Sequence, residues 1–225
     1  MSYYIDLNNI SLNEYKNMLK TRYLIPSQIV LRKNIDKYFL SIEKAGFKNM
    51  AMLKETLKTK KKAEDFAKTL NLPIDYTIVL RRELMSHHPP ARKIAEYPTI
   101  SDSIKSKLDA IDIKTSRQLY DLILTKKNRL ELSKKLNASD EEILAIAKLM
   151  DVTRLRYVSP LFATLLVHSS CDSVEKLSKA DEHVLYDEVK KINENNKFFK
   201  GNIGKNDMKF LIQDTEYVSI DIVDS

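Results

Sequence analysis

The apolar residues of this chain recur mainly three and four positions apart, which is the spacing of one face of an α-helix. Near the start, Leu12, Tyr15 and Leu19 form such a stripe directly after Ser11, a residue type that caps helix N-termini. The same spacing continues through most of the sequence, and glycine and proline, which break helices, are rare at 3 and 6 residues. The pattern predicts a mostly α fold.

An internal repeat without gaps underlies this periodicity. Residues 38–84 match residues 104–150 at a constant offset of 66. Thr59 lies over Thr125, and the two lysines that follow each threonine also coincide. Repeated units of this kind stack because one unit alone cannot bury its apolar face. The match therefore predicts an architecture of stacked helical units.

A shorter third copy follows the second at an offset of 58. Ser173 falls on Thr115 and Leu177 on Leu119, but the segment with the paired lysines is missing. Terminal repeats are often atypical because one of their faces meets solvent.

We divide the chain into five segments. They are a helical extension at 1–30, a first repeat with linker at 31–96, a second repeat at 97–150, a third repeat at 151–194 and a tail at 195–225. In the tail, β-branched and aromatic residues at 208–212 and 217–223 predict two short strands joined as a β-hairpin. The expected fold is mostly α, with tandem helical repeats and a short C-terminal β-hairpin.

Charge is distributed unevenly along the chain. The formal net charge is +7, and the first repeat segment, residues 31–96, holds 15 basic against 8 acidic residues. The second repeat holds 10 against 8, and residues 151–225 hold 10 against 13. A polyanionic partner is therefore expected to dock on the first repeat.

Catalytic and metal-binding patterns are missing from the sequence. It has no glycine-rich phosphate loop and no nucleophile elbow, and the adjacent His87 and His88 point in different directions on any regular element. We expect a non-catalytic protein without a metal or cofactor.

A single cysteine, Cys171, excludes an internal disulfide and suits a reducing compartment. Its position in the third repeat predicts a buried core residue. No run of about 18 apolar residues occurs. We expect a cytoplasmic protein that does not bind membranes.

Two short segments, Thr99-Ile100-Ser101 and Tyr157-Val158-Ser159, each precede a helix that the serine is placed to cap. This pattern resembles the helix-hairpin-helix module, and with the run at 170–177 it is similar to an uncharacterised bacterial domain family of degenerate helix-hairpin-helix repeats. The resemblance covers about residues 31–193. In DNA-binding members of the wider class, two hairpin glycines let backbone amides reach phosphates. The resemblance implies phosphate contacts at Ser101 and Ser159, although side chains replace both glycines in both copies.

Two functions remain open from the sequence. One is non-specific binding to a DNA or RNA backbone through the basic face of the first repeat. The expected contact residues are Lys58, Lys60, Lys61, Lys62, Arg81, Arg82, Lys126 and Lys127, together with the two serines. The alternative is a scaffold that binds another protein through the repeat surface or the terminal hairpin and does not bind nucleic acid. The oligomeric state stays open.

Overall fold

The computed structural model describes residues 3–222, which form thirteen α-helices, three 3-10 helices and no β-sheet beyond two isolated bridges. The α-helices are α1 Leu12–Thr21, α2 Ile35–Lys44, α3 Met50–Thr56, α4 Lys60–Thr69, α5 Ile74–Ser86, α6 Asp102–Ala110, α7 Ser116–Asp121, α8 Lys126–Leu136, α9 Asp140–Thr153, α10 Pro160–Val167, α11 Val174–Leu177, α12 Glu182–Asn196 and α13 Lys205–Asp214. The 3-10 helices are Pro26–Arg32, Ile94–Glu96 and Thr215–Tyr217. The prediction of a mostly α fold is confirmed.

The described chain divides into two compact units. The N-terminal unit is Ile5–His88, and the C-terminal unit runs from Pro89 onward and also includes Tyr3 and Tyr4. The chain therefore passes from one unit to the other twice, once at each end of the N-terminal unit.

No helix within residues 3–222 combines the length and the apolar character that crossing a membrane requires.

In the N-terminal unit, α5 is the central helix. It packs against α3, α4 and the 3-10 helix Pro26–Arg32. Leu80 and Leu84 on α5 are fully buried, as are Phe39 of α2 and Leu53 of α3. Burying a side chain of this size contributes about 1.5–3 kcal/mol. The short helices of this unit are therefore held by their shared core.

The offset of 66 reappears in the helix boundaries of the two units. Helix α4 begins after Thr59, whose hydroxyl accepts a hydrogen bond from a backbone N–H three residues later, and α8 begins after Thr125 with the same contact. Asn71 and Asn137, which follow these two helices, both adopt the left-handed conformation, at φ 51° and 44°. The predicted internal match thus corresponds to equivalent helix starts and ends.

The isolated bridges show where the two units differ. One bridge joins Ser11 to Asn49 and the other joins Lys93 to Thr115. Asn49 and Thr115 are 66 positions apart, but Ser11 and Lys93 are 82 apart. The N-terminal unit therefore carries extra residues between its bridge and α2, and α1 occupies part of that length.

The predicted C-terminal β-hairpin is wrong. Residues 208–212 lie inside α13, where Met208 and Leu211 are buried at helical spacing and face the packing partner α12. At the start of α13 the Asp207 carboxylate accepts a hydrogen bond from the Gly204 N–H at 2.7 Å. Burial at positions i and i+3 has overridden the strand preference of these residues. Of the second predicted strand, Tyr217 ends the 3-10 helix Thr215–Tyr217, residues 218–222 form no regular element, and Val223 lies outside the described residues.

Buried charges anchor the extended end of the C-terminal unit. The Arg154 guanidinium donates hydrogen bonds to the Ser219 carbonyl oxygen at 2.8 Å and to the Asp151 carboxylate, and it lies 4.6 Å from the centre of the Tyr120 ring. The Tyr120 hydroxyl donates to Asp221 at 2.6 Å. Burial raises the pKa of the Asp151 carboxyl. A buried ionic network therefore fixes a segment that has no strand partner.

Candidate nucleic-acid interface

The formal charge of the chain separates by unit. Residues 5–88 contain 16 basic and 9 acidic residues, whereas the rest of the sequence contains 22 of each. The N-terminal unit therefore accounts for the whole net charge of +7. The net charge of this unit attracts a polyanion, whereas the rest of the chain has no net charge to do so.

The first turn of α4 concentrates part of this charge. Lys60, Lys61 and Lys62 occupy its first three positions and are all exposed, and no acidic residue is present in that turn. The N-terminus of a helix already carries a partial positive charge. Lysines placed there oppose the helix dipole, so this arrangement costs stability and presents concentrated positive potential to solvent.

Acidic neighbours compensate some of these cations. Lys58 forms an ion pair with Glu55, which raises the pKa of Lys58 and lowers that of Glu55. Lys60 lies 3.8 Å from the Glu64 carboxylate. Within the described part of the chain, Lys61 and Lys62 have no carboxylate within 4.0 Å. These two ammonium groups are therefore available for a phosphate.

Arg81 has a structural contact that the sequence did not reveal. Its guanidinium is half-buried and donates a hydrogen bond to the Lys58 carbonyl oxygen at 3.1 Å. It thus holds the turn between α3 and α4, whereas Arg82, the next residue on α5, is exposed. Arg81 and Lys58 are therefore in direct contact, as the predicted basic cluster requires. Arg81 is, however, only partly accessible to solvent.

The C-terminal unit holds the other four predicted residues. Lys126 and Lys127 occupy the first turn of α8 and are exposed, with Lys127 3.9 Å from Glu131. Their position on α8 is equivalent to that of Lys60 and Lys61 on α4.

Ser101 and Ser159 are helix caps, as predicted. Ser101 accepts a hydrogen bond from the Ile104 N–H at 3.3 Å and donates to the Glu142 carboxylate at 3.4 Å. Ser159 accepts from the Phe162 N–H at 3.2 Å. A carboxylate beside Ser101 disfavours a phosphate there, because two anions would share one donor site.

Tyr157 adopts a conformation that is unusual for a large side chain. Its φ is 64°, in the left-handed region, and 52 % of its surface is exposed. In the resemblance predicted from the sequence, which the structure does not confirm, it takes the place of the first hairpin glycine. A left-handed backbone is common for glycine and is an outlier for a bulky residue.

Cys171 carries the single thiol of the chain. Cys171 is half-buried, not fully buried as predicted, and burial raises the pKa of its thiol, which favours the less reactive neutral form. Within residues 3–222, no three His, Cys, Asp or Glu side chains are grouped so that they could hold a metal ion.

Comparison with protein families gave a match to part of the chain. The model described as Domain of unknown function (DUF4332) matches residues 98–216, more than half of the chain. The matched residues lie within the C-terminal unit and exclude the whole basic unit. No match to the chain was found among curated proteins or among solved structures.

Proposed function

Because the chain belongs to the family described as Domain of unknown function (DUF4332), whose description names no activity, we propose a function from the charge and geometry of the protein. We propose a non-catalytic protein that binds the phosphate backbone of DNA or RNA through its N-terminal unit. The observation that supports this proposal is the confinement of the entire +7 charge to residues 5–88, with exposed lysines at the start of α4.

Phosphate binding by exposed lysines is driven by the release of counterions. Lys61, Lys62 and Arg82 are exposed and without carboxylate partners in the described chain, so about three phosphates would be neutralised. For duplex DNA the logarithm of affinity then falls with the logarithm of salt concentration with a slope of about −2.7. Affinity is expected to drop about 40-fold between roughly 50 and 200 mM salt.

This mode of binding is without sequence preference. Phosphate contacts fix position and orientation but carry no base information. The proposed contacts come from flexible lysines at the end of a short helix, so DNA and RNA are both expected ligands. The helix-hairpin-helix resemblance is not confirmed and stays a prediction, as does the cytoplasmic location.

The scaffold alternative has lost one of its supports. It rested partly on an exposed edge strand in the tail, and the described residues of the tail form α13 and a 3-10 helix and contain no strand. The repeat surface remains as a basis for protein binding.

Fluorescence anisotropy with short labelled duplex and single-stranded DNA tests the proposal. The variant Lys61→Gln/Lys62→Gln is expected to weaken binding at least about tenfold at low salt and to reduce the salt slope by about 1.8. The matched control is Lys134→Gln/Lys135→Gln, which removes the same charge from exposed positions on α8. It is expected to change affinity less than about twofold.

Two results would contradict the proposal. One is no binding by the native chain near 50 mM salt, where phosphate contacts are strongest. The other is an equal loss in both variants, which would indicate attraction to overall charge without a defined surface. Either result would leave the protein scaffold as the stronger hypothesis.

A further inference from the structure

The two ends of the N-terminal unit meet at His88, two residues beyond the end of α5. Its Nε2 atom lies 3.0 Å from the carbonyl oxygen of Ile5, the first residue of the unit. Its Nδ1 atom lies 2.8 Å from the Nζ of Lys54 on α3. One imidazole ring therefore joins the first residue, the last residue and an internal helix of the unit.

These two contacts determine the protonation of the ring. A carbonyl oxygen only accepts hydrogen bonds, so the Nε2 atom carries a hydrogen and donates it to Ile5. A lysine ammonium only donates, so Nδ1 holds a lone pair and accepts from Lys54. Both contacts exist together only while the imidazole of His88 is neutral.

The charges around His88 differ in distance and exposure. The nearest is the Lys54 ammonium, which is partly buried, and burial lowers the pKa of Lys54 against the attraction of Glu55. The Asp6 carboxylate also faces His88, but it is fully exposed and accepts hydrogen bonds from Asn8 and Asn9. Neighbouring His87 bonds to Glu83 instead, at 2.9 Å. The described charge in direct contact with the ring is therefore positive.

We propose that His88 is a pH-operated clasp, which closes the ends of the N-terminal unit when neutral and opens when protonated. Protonation places two cations in direct contact and removes the lone pair that accepts from Lys54. Histidine ordinarily changes charge between pH 5 and 8, and the adjacent Lys54 ammonium disfavours the protonated ring, so the clasp is expected to open on acidification. This inference does not depend on nucleic-acid binding.

Opening has a defined structural consequence. The segment that starts at Ile5 is bound to the start of α3, where the Ala51 N–H donates to the Leu7 carbonyl at 3.2 Å and the Met50 N–H donates to the Ile10 carbonyl at 3.0 Å. A protonated ring that moves away from the Lys54 ammonium carries its Nε2–H away from the Ile5 carbonyl oxygen, which frees the beginning of this segment. The Ala51 amide is then expected to exchange with solvent severalfold faster, after correction for the intrinsic effect of pH.

Nuclear magnetic resonance of the full chain tests the clasp. Imidazole nitrogen shifts at pH 7.5 are expected to show the Nε2–H tautomer of His88. The variant Lys54→Met is expected to raise the titration midpoint of His88 by about one pH unit and to abolish the acid-induced exchange of Ala51. Lys68→Met, which removes an exposed lysine from α4 in the same unit, is the control and is expected to leave both unchanged.

An Nδ1–H tautomer at pH 7.5 would overturn the proposal. An unchanged His88 midpoint in Lys54→Met would also do so, provided that circular dichroism shows native helix content. If that variant does not fold, Lys54→Gln gives the same comparison, and the tautomer of the native chain decides independently of any variant.

Discussion

Arg81 and Arg129 hold equivalent turns of the two units from different helices. Arg81 on α5 donates to the Lys58 carbonyl at 3.1 Å, and Arg129 on α8 donates to the Leu124 carbonyl at 3.5 Å. Lys58 and Leu124 are 66 positions apart, but the two arginines are not. The residue equivalent to Arg129 is Ala63, and the residue equivalent to Arg81 is Ala147. We therefore predict that Arg81→Ala is rescued by Ala63→Arg.

The structure sets the size of each change. A hydrogen bond from a charged group contributes about 1.5–3 kcal/mol, and partial exposure of Arg81 places Arg81→Ala near the lower value. Ala63 is fully buried, so Ala63→Arg alone overpacks the site and costs about 1–3 kcal/mol. The free energy of unfolding of the double variant is expected to lie within about 1 kcal/mol of the native value.

Urea denaturation followed by circular dichroism measures these three variants against the native chain. Rescue requires that the double variant be more stable than either single variant. If the double variant loses as much free energy of unfolding as the two single variants together, an arginine at position 63 does not reach the Lys58 carbonyl. The equivalence of the two turns is then refuted. The mirrored exchange, Arg129→Ala with Ala147→Arg, repeats the test in the other unit.

Two further predictions concern helix ends. Asp181 accepts backbone hydrogen bonds from Val184 and His183, which lower its pKa below 3.8, so its cap stabilises the fold above that value and is lost as pH falls through the lowered pKa. When stability is measured as a function of pH, Asp181→Asn should not show this loss of stability in acid. The exposed Asp187→Asn is the control. If the Asp181 variant and the native chain lose stability identically in acid, the cap is excluded. Asn137 has a φ of 44°, in the left-handed region, so Asn137→Ala should lower the free energy of unfolding by about 1–2 kcal/mol. Asn137→Gly should not lower it. Equal urea midpoints for the two variants would contradict a strained site.

Much of the helical layout could be predicted from the sequence, because its signals are local. Thr59 and Thr125 each begin a helix where the repeat places them, and Ser101 and Ser159 cap theirs. Cap residues act on N–H groups within three positions, so no knowledge of the tertiary fold is needed.

The tail could not be predicted in the same way. Met208 and Leu211 fit a strand by composition and a helix by spacing, and only the presence of α12 decides between the two. Short apolar runs are ambiguous for this reason.

Within the candidate site, composition identified the basic unit but not the role of each cation. Sequence spacing could have indicated the ion pair of Glu55 and Lys58, which are three positions apart across the C-terminal end of α3. The contact of Arg81 with a carbonyl 23 positions away gives no such signal. The His88 clasp likewise depends on residues that are distant in sequence.

The His88 contact with Ile5 also bears on how this chain could have arisen. Because the first and last residues of the N-terminal unit are hydrogen-bonded neighbours, the polypeptide chain enters and leaves this unit at adjacent positions. A segment with adjacent ends can be gained by a single insertion event, or exchanged for another, without stretching the polypeptide that hosts it. The family match at residues 98–216 lies entirely outside this unit, so exchanging the unit would leave the matched residues uninterrupted.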